Sequence, residues 1–140
     1  MKKAFFSVVA ITAAIIAGCS KDDDGGGPEK DLLGKWTPVS TKVVVSDIKN
    51  GGSTTTDKPV YPGDYIDFRS DGKVYTRTTD PQEAPGYDPN DTLTYRLTTT
   101  YLIIDGDSCL ISKLTKDSLT YILQEKTEDE LWETIISLKK

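Results

Sequence analysis

The stretch "YIDFRSDGKVYT", residues 65–76, decides the fold. Ile66 and Phe68 alternate with polar or amphipathic neighbours, and a second short run begins at Lys73. Between them "RSDGK", residues 69–73, puts Gly72 where a short hairpin loop needs positive φ. Two period-two runs joined this tightly form an antiparallel pair.

The same alternation continues outward from the hairpin. From Asp31 onward, short apolar runs are separated by Gly, Asp, Ser and Asn, and no stretch shows a convincing helical period. Eight strands are expected, at about Lys35–Asp47, Asp64–Arg69, Lys73–Thr78, Thr92–Leu97, Tyr101–Ile104, Cys109–Leu114, Leu119–Lys126 and Leu131–Leu138. "DGDS" (residues 105–108), "TKDS" (115–118) and "TEDE" (127–130) supply further turns, so consecutive strands are antiparallel neighbours. Two links are long: Ile48–Gly63 and Thr79–Asp91. In an eight-stranded meander, alternate links share one end. Both long links, "DGDS" and "TEDE" therefore gather on one rim, opposite a plain floor of tight turns. The expected class is all-β, an eight-stranded antiparallel up-and-down barrel with one elaborated mouth.

Composition narrows the function. The chain has 140 residues, 17 Lys and Arg against 22 Asp and Glu, and no histidine. Without histidine there is no Ser-His-Asp or Cys-His pair and no histidine-ligated metal site. A net charge of −5 repels phosphate backbones, so nucleic acid is not an expected partner. Asp105 and Asp107 lack the alternating acids and closing glutamate of a calcium loop and read as a hairpin turn. Glu128 and Glu130 sit in an apparent turn and read as a solvated edge. No catalytic residue, metal site or cofactor is expected.

The first residues form another pattern. Met1, Lys2 and Lys3 precede "AFFSVVAITAAIIA", residues 4–17, an apolar run too short to span a bilayer, which takes about 20 residues. "IAGC", Ile16–Cys19, resembles the lipobox of bacterial lipoproteins, with Ile16 where leucine is usual. The resemblance implies a signal peptide over residues 1–18, lost with Lys2 and Lys3 so that the charge falls from −5 to −7, and acyl chains on Cys19 as the membrane partner. Residues 19–31, with "DDDGGGPE", have the composition of a flexible acidic tether. "SKDDD", residues 20–24, resembles the export signal of surface lipoproteins of the Bacteroidota, which implies an outer-membrane lipoprotein exposed at the surface, the periplasmic face being the alternative. If Cys19 is acylated, Cys109 has no disulfide partner and reads as a small half-buried hydrophobe.

"LLGKWTPVS" (residues 32–40), "YIDFRSDGKVYT", "LTYRL" followed by "YLIIDGD", and "LTKDSLTYIL" (114–123) together resemble the small lipocalin-like domain of Bacteroidota lipoproteins, over residues 32–140. Gly34, Lys35 and Trp36 match the Gly-x-Trp that opens strand one of lipocalins, which implies that Trp36 plugs the barrel floor. Such a barrel either fills with side chains or holds one small ligand.

Tyr65, Phe68, Tyr95, Tyr121 and Trp132 are candidate contacts for a small apolar or amphipathic ligand. Tyr61 and Tyr87, beside the long links, are candidates for the alternative, a rim that binds a glycan or a protein over a solid interior. "DTL" at 91–93 and "DSL" at 117–119 resemble the Asp-Ser/Thr-aliphatic acceptor of O-glycosylation and imply sugars on Thr92 and Ser118.

Overall fold

The computed structural model describes residues 27–79, 86 and 88–140. Cys19, residues 1–18 and Tyr87 lie outside them. A short helix, α1 (Pro28–Leu32), precedes nine strands: β1 (Gly34–Asp47), β2 (Ser53–Lys58), β3 (Tyr65–Phe68), β4 (Lys73–Arg77), β5 (Asn90–Leu97), β6 (Tyr101–Ile104), β7 (Asp107–Leu114), β8 (Ser118–Lys126) and β9 (Glu130–Lys139).

The hairpin that anchors the sequence reading is formed by β3 and β4, with Ile66 opposite Thr76 and Phe68 opposite Val74. Its Gly72 has φ +77°. From β3 to β9 each strand pairs with the next, and β1 pairs antiparallel with β3 on one edge and β9 on the other. Eight strands thus close on themselves as a lipocalin-like antiparallel barrel. Closure leaves none of the eight as a bare sheet edge along its whole length. Where β1 turns toward β9 the register shifts between Pro38 and Ser40, so Val39 bulges out and is exposed. A bulge at Pro38 is physically apt, because proline has no N–H for the ladder.

The ninth strand corrects the expectation that residues 48–63 are one long loop. Within that span, β2 pairs with the upper half of β1, from Thr41 opposite Lys58 to Ser46 opposite Ser53. All six of its residues, Ser53–Lys58, are exposed, so no apolar alternation marks it in the sequence. The hairpin is made by local polar bonds: the Asp47 carboxylate accepts from the Lys49 and Asn50 N–H groups at 2.9 and 2.8 Å, and Gly51 and Gly52 take φ of +75° and +102°. These donors, the Asn50 side chain first among them, hold the Asp47 carboxyl below its ordinary range.

A second correction falls at the other end. The residues expected to continue the tether as far as Asp31 form α1 from Pro28, with proline at the first turn where a missing N–H costs nothing. One turn is too short to show a helical period. Its Leu32 is fully buried. The helix caps the floor: the Trp36 indole N–H donates to the Leu32 carbonyl at 2.7 Å, the Lys140 ammonium donates to the Asp31 carbonyl at 2.7 Å, and the same ammonium lies 4.6 Å from the centre of the Trp36 ring. Trp36, Phe68, Val74, Leu102, Leu119 and Leu138 fill the lower barrel, all essentially inaccessible.

The wall is uneven. β6 is four residues long, whereas β8, β9 and the upper part of β1 carry their pairing on to Lys126, Glu130 and Asp47. One side of the mouth is therefore low and the other stands tall, with β2 extending it.

If the indole bond closes the floor, Trp36→Phe leaves the Leu32 carbonyl buried without its donor and lowers unfolding stability by about 1–3 kcal/mol. Urea unfolding followed by far-ultraviolet circular dichroism measures this; a loss below about 0.5 kcal/mol would show the bond to be idle.

Candidate functional site

Strand alternation sends Val74, Leu93, Leu102, Cys109, Leu119, Tyr121, Leu123, Ile136 and Leu138 to the barrel interior, since each is paired in register with another of the set or with a neighbour on the same face. Above the filled layer these positions leave a cavity of about 300 Å³, open at the mouth, lined by Leu93, Ile104, Cys109, Tyr121, Leu123 and Ile136 with Asp105 and Asp107 at its edge. Its volume is at the small end for ligand pockets. It opens beside the low wall, where β6 ends at Ile104 and the chain turns through Asp105 and Gly106, both at positive φ.

Tyr121 is the notable member. Only 4 % of it is exposed, and its hydroxyl finds no hydrogen-bond partner among the described residues, although it borders the open cavity. Burial, and to a lesser degree the Cys109 side chain, pushes its phenol far above the ordinary tyrosine range. Cys109 is also buried, and burial followed by the Asp107 carboxylate pushes its thiol up. A thiol so placed stays protonated near neutrality and is a lining group, not a nucleophile.

The other sequence candidates fall in different places. Phe68 is fully buried in the floor and meets Tyr95 edge-on, ring centres 5.0 Å apart. Tyr95 donates its hydroxyl to the Arg69 carbonyl at 2.7 Å, which ties it to the floor hairpin. Burial, with Glu29 and Asp71 adding to it, raises its phenol. Tyr65 lies on the opposite face of β3 from Ile66 and Phe68, with the Lys35 ammonium 3.8 Å from its ring centre. Trp132 shares a face with Val45 and Glu125 on the tall wall, is 41 % exposed, and donates to Glu130 at 2.9 Å. Of these five, Tyr121 alone lines the mouth cavity. Sequence alternation finds Leu93, Leu123 and Ile136 as well; Ile104, Asp105 and Asp107 join them only because β6 stops short.

A second cleft of about 240 Å³ lies on the barrel's side, where β1 leaves β3 for β2, and Ile136 borders it too. Its acid, Asp64, is buried and already engaged, accepting from the Thr79 N–H at 2.7 Å, the Thr79 hydroxyl at 2.8 Å and the Tyr61 N–H at 3.3 Å. It fastens the two long links to each other. Thr92 is exposed near the rim, and Ser118 is half-buried in a floor turn with its N–H bonded to the Thr115 hydroxyl at 3.0 Å. Among the described residues no cluster of three or more potential ligands could hold a metal ion. No family model, curated protein or solved structure matches the chain.

The Tyr121 phenol carries a pH dependence of known sign. With its folded pKa above the unfolded value near 10, its contribution to stability is complete below about pH 10 and is lost as pH rises toward the folded value. Unfolding stability measured from pH 8 to 11.5 is expected to fall at the alkaline end, and Tyr121→Phe to fall less steeply. At pH 7 the variant should be as stable as the parent or more so, because the lost hydroxyl has no protein partner. A destabilisation above about 2 kcal/mol would contradict this placement.

Proposed function

We propose that the protein is a lipoprotein anchored by acyl chains on Cys19, whose lipocalin-like barrel binds one small apolar or amphipathic molecule at its open end. The observation that carries the binding reading is the Tyr121 hydroxyl, unpartnered and nearly buried beside an apolar cavity that opens at the mouth. The hydroxyl keeps only slight contact with solvent, and a ligand supplies both a polar partner and the apolar area to be buried. The reading assigns no catalytic role, in keeping with a lining of aliphatic groups, a protonated thiol and a phenol.

Anchoring rests on "IAGC" and the acidic, glycine-rich residues after it. Its support in the fold is one of direction. α1 lies at the floor, so a tether running back from Pro28 leaves from the end opposite the cavity, and a barrel held by it turns its mouth away from the membrane. Outer-membrane placement, with exposure at the cell surface, belongs to the same reading.

A second reading, an interaction module, is favoured by the outer edge of β2, a strand that among the described residues pairs with β1 alone and is exposed throughout. An added strand on that edge is one way a peptide partner docks. The filled floor suits either reading; the open cavity over Tyr121 favours the first.

The neutral probe N-phenyl-1-naphthylamine, which brightens in apolar surroundings, tests the cavity directly. Saturation at one equivalent is expected, with Leu123→Trp, which fills the cavity, abolishing it while circular dichroism stays unchanged. No saturable signal, or an unaltered one in a folded Leu123→Trp protein, would refute the reading. For the anchor, Cys19→Ser is expected to move the protein from the membrane fraction to the soluble one and to prevent incorporation of an alkyne-tagged fatty acid. Persistence of both in the variant would remove the lipoprotein proposal.

A further inference from the structure

The acids of this chain are not used alike. Asp47, Asp64, Asp67, Asp71, Asp88 and Asp91 each accept a hydrogen bond from a nearby backbone or side-chain donor, which is what turns and links ask of them. Asp105 and Asp107 do not: neither carboxylate has a hydrogen-bond or ion-pair partner among the described residues. Both border the mouth cavity. Asp105 also holds φ +50°, an uncommon conformation for a residue other than glycine, at the turn where the wall is lowest.

The surroundings sharpen the contrast. The register puts Asp91 on the inner face opposite Thr76, and Glu125 on the inner face opposite Trp132, so further acids look across the same opening. Of the cations toward the mouth, Lys42 is engaged with Asp57 at 3.6 Å and Lys49 with Asp129, while Lys126 and Arg77, at the mouth ends of β8 and β4, occupy outward-facing positions. Lys113, Lys116, Lys139 and Lys140 lie at the floor end. An apolar cavity whose inward-facing rim positions carry one sign of charge, with low-dielectric walls, draws in the opposite sign.

Within the binding reading above, on which this rests, we propose that the ligand is a cationic amphiphile: an amine on an apolar body, carrying a polar atom for the Tyr121 hydroxyl. The ammonium sits at the rim between Asp105 and Asp107, and the body displaces water from Leu93, Cys109, Leu123 and Ile136. A carboxylate or phosphate head in the same place meets unpartnered like charges. The acidic cluster alone would define no site. The second observation is Tyr121, 4 % exposed and without a partner, at the base of the same cavity.

Three probes of one chain length separate head charge from apolar burial: 10-amino-1-decanol, 1,10-decanediol and 10-hydroxydecanoate, each displacing N-phenyl-1-naphthylamine from the full chain at pH 7 and low salt. The amine is expected to displace the reporter at a concentration about tenfold below the diol and lower still against the carboxylate, with the preference shrinking as salt is raised. In the double variant D105N/D107N the preference for the amine over the diol should drop to within about threefold. Asparagine tolerates the left-handed backbone at position 105, so the variant keeps its turn. Equal or tighter binding of 10-hydroxydecanoate, or a preference that survives D105N/D107N, overturns the proposal and leaves the cavity reading standing. If the reporter binds and none of the three displaces it, the proposal is likewise overturned. If the reporter itself fails to bind, the cavity reading falls and this inference with it.

Discussion

The bond from the Trp36 indole to the Leu32 carbonyl is the constraint on which the rest of the barrel depends. It joins a one-turn helix to the first strand and buries both residues completely. A helix of five residues has almost no stability of its own, since the first turn fixes several dihedrals for a single hydrogen bond. Here tertiary contacts hold it: Leu32 enters the core, and the Lys140 side chain spans from the Asp31 carbonyl to the indole face. The floor is thereby closed by residues from both ends of the folded domain. An interior closed below and filled through Phe68, Val74, Leu119 and Leu138 does not open at the floor.

Unequal strand length then makes the opening. β6 ends after four residues, at Ile104, while β8 and β9 run for nine and ten. On the low wall Ile104 pairs with Asp107 where the chain turns back, and on the tall one Glu125 pairs with Trp132 and the pairing runs on to Lys126 and Leu131. Side chains that in a barrel of even height would be roofed by another layer are left at the surface of a cavity. Cys109, Tyr121 and Leu123 are core residues by sequence and cavity residues by strand length.

What the sequence discloses follows the same physical division. Wherever one face is buried and the other solvated, period-two alternation is strong, so the β3–β4 hairpin and the strands from β5 to β9 are readable to within a few residues of their observed bounds. β2 escapes because Ser53, the three threonines, Asp57 and Lys58 bury nothing; pairing with β1 and the Asp47–Gly52 turn hold it, and neither leaves a hydrophobic signal. α1 escapes because one turn has no period. The candidate site was legible in part for the same reason. Alternation identifies which residues face inward, so Tyr121, Leu93 and Leu123 are found, but it is blind to height along the barrel and cannot separate Phe68 and Tyr95, which close the floor, from Tyr121, which borders the mouth. It also missorts Tyr65, whose aromatic character suggests a lining role while its parity with Asp67 puts it on the other face.

Tyr121 shows how height decides what an inward residue meets. Its ring meets the requirement of the core, an apolar body at an inward position between Leu119 and Leu123 on β8, and phenylalanine would meet that requirement as well. The hydroxyl has no hydrogen-bond partner among the described residues, and burial raises the cost of its ionised form. Tyr95 is the internal control: a half-buried tyrosine of the same inward parity, three strands away and lower in the barrel, whose hydroxyl reaches the Arg69 carbonyl and is accounted for by structure alone. The two residues share chemistry and differ in level. At the floor a backbone carbonyl from a hairpin turn is within reach of a phenol; at the mouth the described surroundings are aliphatic groups, a protonated thiol and the opening, and the hydroxyl is left facing solvent.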